Sequence, residues 1–166
     1  KAKQQLAARM ALQKLHGNFP FHQVEILDGG KPVLKNNESK FSLSHCIGFS
    51  AAIISDKNEV GIDIELIHDR VLKVEKKFLN NHELNLLDSV GAHHRVVYST
   101  LFWSLKETMY KWWGKGSVDF SSEIQITEFN ADDEGTAVMK FTKFPDLFFK
   151  LSYIRYENIW MSMLCK

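Results

Sequence analysis

At 166 residues, 45% hydrophobic and 25% charged, the chain is long enough to bury a core and too apolar for a disordered tail. Its 21 Lys and Arg against 20 Asp and Glu leave a formal net charge of +1, so bulk charge favours neither a nucleic-acid binder nor a membrane-surface protein. No run approaches the roughly 18 apolar residues of a spanning helix, and the opening Lys1 to Arg9 is polar rather than signal-like, so a soluble cytoplasmic protein is expected.

In chain order, the pattern predicts a helix from Lys3 to Leu15, with Leu6, Met10 and Leu12 among its apolar positions, ended by Gly17 and Pro20. A strand over Phe21 to Leu27 meets the turn Asp28-Gly29-Gly30, and an Asn- and Lys-rich loop runs on to Lys40. Strands over Gly48 to Ser55 and Val60 to Ile67 flank the turn Asp56-Lys57-Asn58. Val71 to Ser89 reads as helix interrupted at Asn80 and Asn81, and Ser99 to Trp113 as one long helix. Three or four strands close the chain, near Glu123 to Phe129, Thr136 to Thr142, Leu147 to Tyr153 and Asn158 to Leu164.

A helix followed by strands thus occurs twice, which predicts an α+β protein with antiparallel sheets in two similarly built lobes, residues 1–68 and 69–166. Cys46 and Cys165 lack metal-ligand spacing and are too few for a secreted disulfide framework, so they read as reduced thiols.

Two segments carry the chemistry. In Gly61-Ile62-Asp63-Ile64-Glu65 the strand period turns Ile62, Ile64 and Leu66 one way and Asp63 and Glu65 the other. In the long helix Trp103, Glu107 and Lys111 recur every four residues and share a stripe. Three carboxylates converging from a strand and a helix repel unless a cation lies between them. Hard oxygen donors select Mg²⁺, which completes its shell with waters and substrate phosphates. Each element also has a plainer reading: Asp63 and Glu65 as a solvated strand edge, Glu107 and Lys111 as a surface ion pair, His45 as a core histidine at a strand end.

The frame Gly-Ile-Asp-Ile-Glu, followed about forty residues later by Phe102-Trp103-Ser104-x-Lys106-Glu107-x-x-x-Lys111, resembles the 4′-phosphopantetheinyl transferase superfamily. Gly30-Lys31-Pro32, Ser42-Leu43-Ser44-His45 and the opening helix with Arg9 fall in that family's order. Within it the chain looks like the two-lobed, surfactin-synthetase-activating type, two pseudo-symmetric halves with the site between them. The resemblance runs over residues ~1 to 116 and then fades to a strand pattern. Thr108 and Cys46 stand where smaller residues and serine are common in the family, and neither removes a charged group.

The resemblance implies a Mg²⁺-dependent enzyme moving the 4′-phosphopantetheine arm of coenzyme A onto a serine of an acyl or peptidyl carrier protein. It implies Asp63, Glu65 and Glu107 as metal ligands, Glu107 also as the base, and Lys111, with Lys106 as a second candidate, balancing phosphoryl charge. By likeness Ser44 and His45 contact the pyrophosphate, Lys31 the nucleotide end and Arg9 the 3′-phosphate. Glu83 lies in a Phe-plus-Glu segment similar to the family's, beside Lys73, Lys76 and Lys77, a basic helix suited to an acidic carrier. A monomer is expected. Two other readings remain open: a non-catalytic coenzyme A or carrier-binding module, and a metal-dependent phosphohydrolase.

Overall fold

The computed structural model describes residues 2–36 and 38–166; Lys1, and Asn37 within the expected Asn- and Lys-rich loop, lie outside the described residues. Helix α1, Ala2–Leu15, buries Ala8 and puts Leu12 into a small core with Phe19, Leu34 and Phe41. Leu6 and Met10 do not join that stripe, standing 60% and 55% exposed on the outer face.

The strand expected from Phe21 begins later, because Pro20 opens a 3-10 turn over Phe21–Gln23 that is closed by Gln23 N–H donating to the Pro20 carbonyl at 2.9 Å. β1, Val24–Ile26, then pairs antiparallel with β2, Pro32–Leu34, inside the segment expected to be loop.

β3, Lys40–Cys46, and β4, Phe49–Ser55, form a second antiparallel pair, against which α1 packs. β3 is a strand the sequence pattern does not announce, because two of its alternate positions are the buried serines Ser42 and Ser44. Their hydroxyls accept from the backbone N–H groups of Ile62 and Ile64 at 3.2 Å each. The free edge of the next strand is thereby satisfied by side chains instead of by a backbone ladder.

That strand, β5, Val60–Leu66, pairs along its other edge with the last strand of the chain. It belongs to a five-stranded antiparallel sheet of order β5-β9-β8-β7-β6, with β6 at Ile124–Glu128, β7 at Glu134–Phe141, β8 at Phe148–Tyr156 and β9 at Ile159–Cys165. The acidic strand lies early in the sequence, yet its ladder partner comes from the carboxyl end.

Between β5 and β6 the chain forms α2, Glu75–Phe78, α3, Asn81–Ser89, and α4, Arg95–Trp113. Asn80 ends the first run and caps the second: its Oδ1 accepts from Glu83 N–H at 3.0 Å, while Glu83 Oε2 accepts from Asn80 N–H at 2.8 Å. α4 lies on the inner sheet face, with Leu101, Phe102, Leu105 and Met109 packed in one core with Met139, Phe141, Phe149, Leu151 and Trp160.

Gly61 sets how close α4 comes to β5. A Cβ there would stand 2.2 Å from the Thr108 carbonyl oxygen and 2.9 Å from the Trp112 nitrogen, so only glycine admits the helix at this distance. Beneath this contact Thr108 Oγ1 and Ser104 Oγ both hydrogen-bond Ser162 Oγ of β9, at 2.6 and 2.8 Å. The helix is therefore fixed over the strand pair that carries Asp63, whose register partner is Ser162.

Candidate active site

Asp63 is the centre of the arrangement and is almost fully buried. Its Oδ1 accepts from Ser44 Oγ at 2.9 Å and from Lys111 Nζ at 2.6 Å, and Lys111 also donates to Ser44 Oγ at 2.9 Å. Three elements, β3, β5 and α4, thus meet at one carboxylate. The Ser44 hydroxyl is fully engaged, its proton on Asp63 and its lone pairs facing Lys111 and Ile64 N–H.

Two further carboxyls flank Asp63. Glu65 Oε1 accepts from the Trp103 indole N–H at 3.1 Å, one helical turn before Glu107 on the predicted α4 stripe. Trp103 is steadied edge-on against Phe78, ring centroids 5.0 Å apart. Burial, reinforced by the charge on Asp63, pushes the Glu65 carboxyl up to about 7. The Glu107 carboxyl is likewise pushed up to about 7, by burial first and then by Asp63, with Lys111 working against the shift. Three acids crowded round one ammonium leave the cluster short of positive charge.

Asp63 Oδ2 is buried and has no hydrogen-bond partner among the described residues, a costly state for a carboxylate oxygen unless a cation takes it. Glu65 and Glu107 supply hard oxygen donors on either side, and the crowding that raises their protonation is what a cation would relieve. Among the described residues no three such side chains are already drawn into a cage. Lys111 instead takes Asp63 Oδ1, leaving Oδ2 for a metal.

Cavities surround this centre. Glu107, Tyr110 and Lys111 line one of about 220 Å³ with Gly30, Lys31 and Ser42. Arg9 and His45 line another of about 410 Å³, walled by α1, Phe21, Phe41 and Pro32. His45 also borders a third, of about 510 Å³, with Glu65, Trp103, His68 and Arg70. Arg9 and His45, far apart in sequence, are therefore brought together, with the His45 ring exposed at the end of β3.

Two expected residues fall differently. Lys106 does not face the site: its side chain is wholly buried, paired with Glu83 at 2.8 Å and donating to the carbonyls of Phe78, Phe120 and Ile124. A phosphate-facing role does not fit that position, because neighbouring helix residues point about 100° apart and Glu107 occupies the site face. Burial draws its ammonium down to about 8 against the pull of Glu83. Glu83 is a structural hub, accepting also from Ile126 N–H at 2.8 Å.

Lys31 turns its ammonium to Glu59 Oε2 and to the Trp112 carbonyl, both at 2.8 Å. Glu59 escaped the sequence reading because only a long-range contact gives it meaning. The Trp103 bond to Glu65 could have been inferred from its place on the Glu107 stripe.

The α+β fold lays helix α4 over the acidic strand β5 and brings the carboxyls of Asp63, Glu65 and Glu107 together with Lys111. The 4′-phosphopantetheinyl transferase superfamily model matches residues 59–160, which contain β5, α4 and most of the five-stranded sheet. This chain belongs to that superfamily. It is 35% identical over 101 residues to 4′-phosphopantetheinyl transferase psf-1 of Bacillus pumilus, covering 59% of this chain and 43% of that protein. It is 32% identical over 87 residues to 4′-phosphopantetheinyl transferase gsp of Aneurinibacillus migulanus, covering 52% and 36%. The chain thus spans less than half the length of these relatives.

Proposed function

We propose that this protein transfers the 4′-phosphopantetheine group of coenzyme A to a serine hydroxyl of an acyl or peptidyl carrier protein. The observation that carries the reading is the buried, unpartnered Asp63 Oδ2 between two carboxyls that burial holds near neutrality.

Asp63, Glu65 and Glu107 would hold Mg²⁺, which when bound supplies charge neutralisation and alignment of the pyrophosphate oxygens. The carrier serine oxygen attacks the phosphorus bearing pantetheine, and the bond from that phosphorus to the bridging oxygen breaks. Adenosine 3′,5′-bisphosphate leaves with the electron pair. Glu107 would take the serine proton, directly or through a water. Lys111, already beside Asp63, offsets the negative charge that spreads over the phosphoryl oxygens. Arg9 and His45 line the adjoining cavity in position for the nucleotide phosphates, and Ser44 holds Asp63 in place.

A two-lobed arrangement is supported by α1 packing on β3 and β4 and α4 packing on the larger sheet, joined where Ser42 and Ser44 meet β5; because β5 is a strand of that larger sheet, the division falls before β5 and not near residue 68. We read the protein as a monomer acting in the cytoplasm, where its two free cysteines, Cys46 and Cys165, would stay reduced. No helix among the described residues is long and apolar enough to cross a membrane.

The test is the intact mass of an apo acyl carrier protein, and separately an apo peptidyl carrier protein, after incubation with this protein, coenzyme A and Mg²⁺. A gain of one phosphopantetheine, abolished by EDTA, is the expected result. Glu107→Gln should slow transfer by ~10²–10⁴-fold, the range for loss of a general base. Coenzyme A binding with neither carrier modified would favour a binding module. Hydrolysis of coenzyme A in the absence of any carrier would favour a phosphohydrolase.

A further inference from the structure

We infer that Lys31 and Glu59 form a clasp that positions the carboxyl-terminal turn of α4, and that Lys31 acts on the reaction through that turn instead of binding the nucleotide. The inference rests on the transferase reading of the site, to which it adds two positioning residues.

The last carbonyls of a helix have no partner within it, and a cation placed there also meets the favourable end of the helix dipole. Trp112 is one residue from the end of α4, and its carbonyl accepts from Lys31 Nζ at 2.8 Å. The same ammonium pairs Glu59 Oε2 at 2.8 Å, with the Lys31 side chain 9% exposed. Glu59 is shared with Lys40, whose Nζ lies 3.8 Å from the other carboxylate oxygen. Two of the three N–H donors of Lys31 are therefore committed to Glu59 and to the end of α4, which holds its side chain in one place.

The stem of Lys31 is held as closely as its head. Gly114 ends α4 in the left-handed region at φ 68°, and a Cβ there would stand 2.2 Å from Lys31 Cδ. A Cβ on Gly29, in the β1–β2 turn, would stand 2.5 Å from the Gly114 carbonyl oxygen and 2.7 Å from Gly116 N. Two glycines thus let the turn and the helix end lie backbone against backbone, and Lys31 fastens them. Lys111 and Glu107 lie within the two turns of α4 just before this contact, so any slack in the clasp displaces both. Glu59 lines a cleft with Glu25, Lys35 and Trp113 and is not among the residues lining the cavity of Glu107 and Lys111, whereas Lys31 borders both.

Lys31→Met keeps the apolar stem and removes the ammonium; Glu59→Gln removes the counter-charge. Both variants and their double would be assayed for kcat and KM of coenzyme A, and for amide hydrogen exchange over residues 110–114. The clasp is supported if each single change lowers kcat by about tenfold or more at unchanged KM, speeds exchange there by about tenfold, and the double is no worse than either. It is overturned if Lys31→Met raises KM for coenzyme A while kcat and exchange hold, the pattern of a nucleotide ligand. If the wild-type protein modifies no carrier, the transferase reading fails. The exchange arm then decides alone: faster exchange in both variants sustains the clasp and unchanged exchange removes it.

Discussion

Lys106 and Glu107 are consecutive residues with opposite duties, and the difference is set by which way each points from α4. Glu107 faces the Asp63 cluster, while Lys106 points into the protein and gathers Glu83 and three backbone carbonyls. Removing one member of such a buried pair leaves the other charge stranded. Lys106→Met should destabilise the fold by about 3–5 kcal/mol in urea unfolding, whereas adding Glu83→Gln to it should recover part of that loss. An equal loss in the double variant would show that the hydrogen bonds, and not the ion pair, carry the stability. If the folded fraction of Lys106→Met kept its wild-type KM for coenzyme A, that would confirm that the residue lies outside the site.

At the scale of elements, α4 against β5 is the contact on which the site depends, and Gly61 is its narrowest point. Gly61→Ala forces a methyl group into the Thr108 carbonyl, which the helix can escape only by moving outward. Denaturant melts should show a loss of about 1–3 kcal/mol, the usual cost of overpacking. Transfer should fall much further, by about 100-fold, since Glu107 and Lys111 move with the helix. Transfer falling only in proportion to folded protein would mean that the spacing serves stability alone.

The acidic strand, the α4 stripe and the four closing strands were legible because each is a local period of two or four written in apolar residues. β3 was not. Its Ser42 and Ser44 look like solvent-facing positions, and they are buried only because β5 offers them backbone donors. The pairing of β5 with β9 and the Lys31–Glu59 contact join residues remote in sequence, so no local pattern could contain them. The outward turn of Leu6 and Met10 likewise depends on which face of α1 meets β4.

For the molecule as a whole, the electrostatic strain of the carboxylate cluster should appear in its stability. Glu65 and Glu107 have folded-state values of about 7 against an ordinary 4.5, so between those limits the native protein binds more protons than the unfolded chain. Stability then falls as pH rises through that window, by up to about 3 kcal/mol per carboxyl, and levels off above it. Asp119 and Glu123 shift in the opposite sense, and their contribution is lost only as pH drops below the usual carboxylate range, so the two effects separate on the pH axis. In EDTA the melting temperature should therefore decline from pH 5 to pH 8, and Glu65→Gln with Glu107→Gln should flatten the decline. Mg²⁺ binds the ionised carboxyls, so at one hundred times its dissociation constant it should restore about 2.7 kcal/mol at pH 8 and far less at pH 5, where protons compete for the same oxygens. A melting temperature indifferent to Mg²⁺ at pH 8 would mean that Asp63, Glu65 and Glu107 do not assemble a cation site in this chain alone. The metal would then have to arrive already bound to the pyrophosphate, which the same titration repeated with coenzyme A present would reveal.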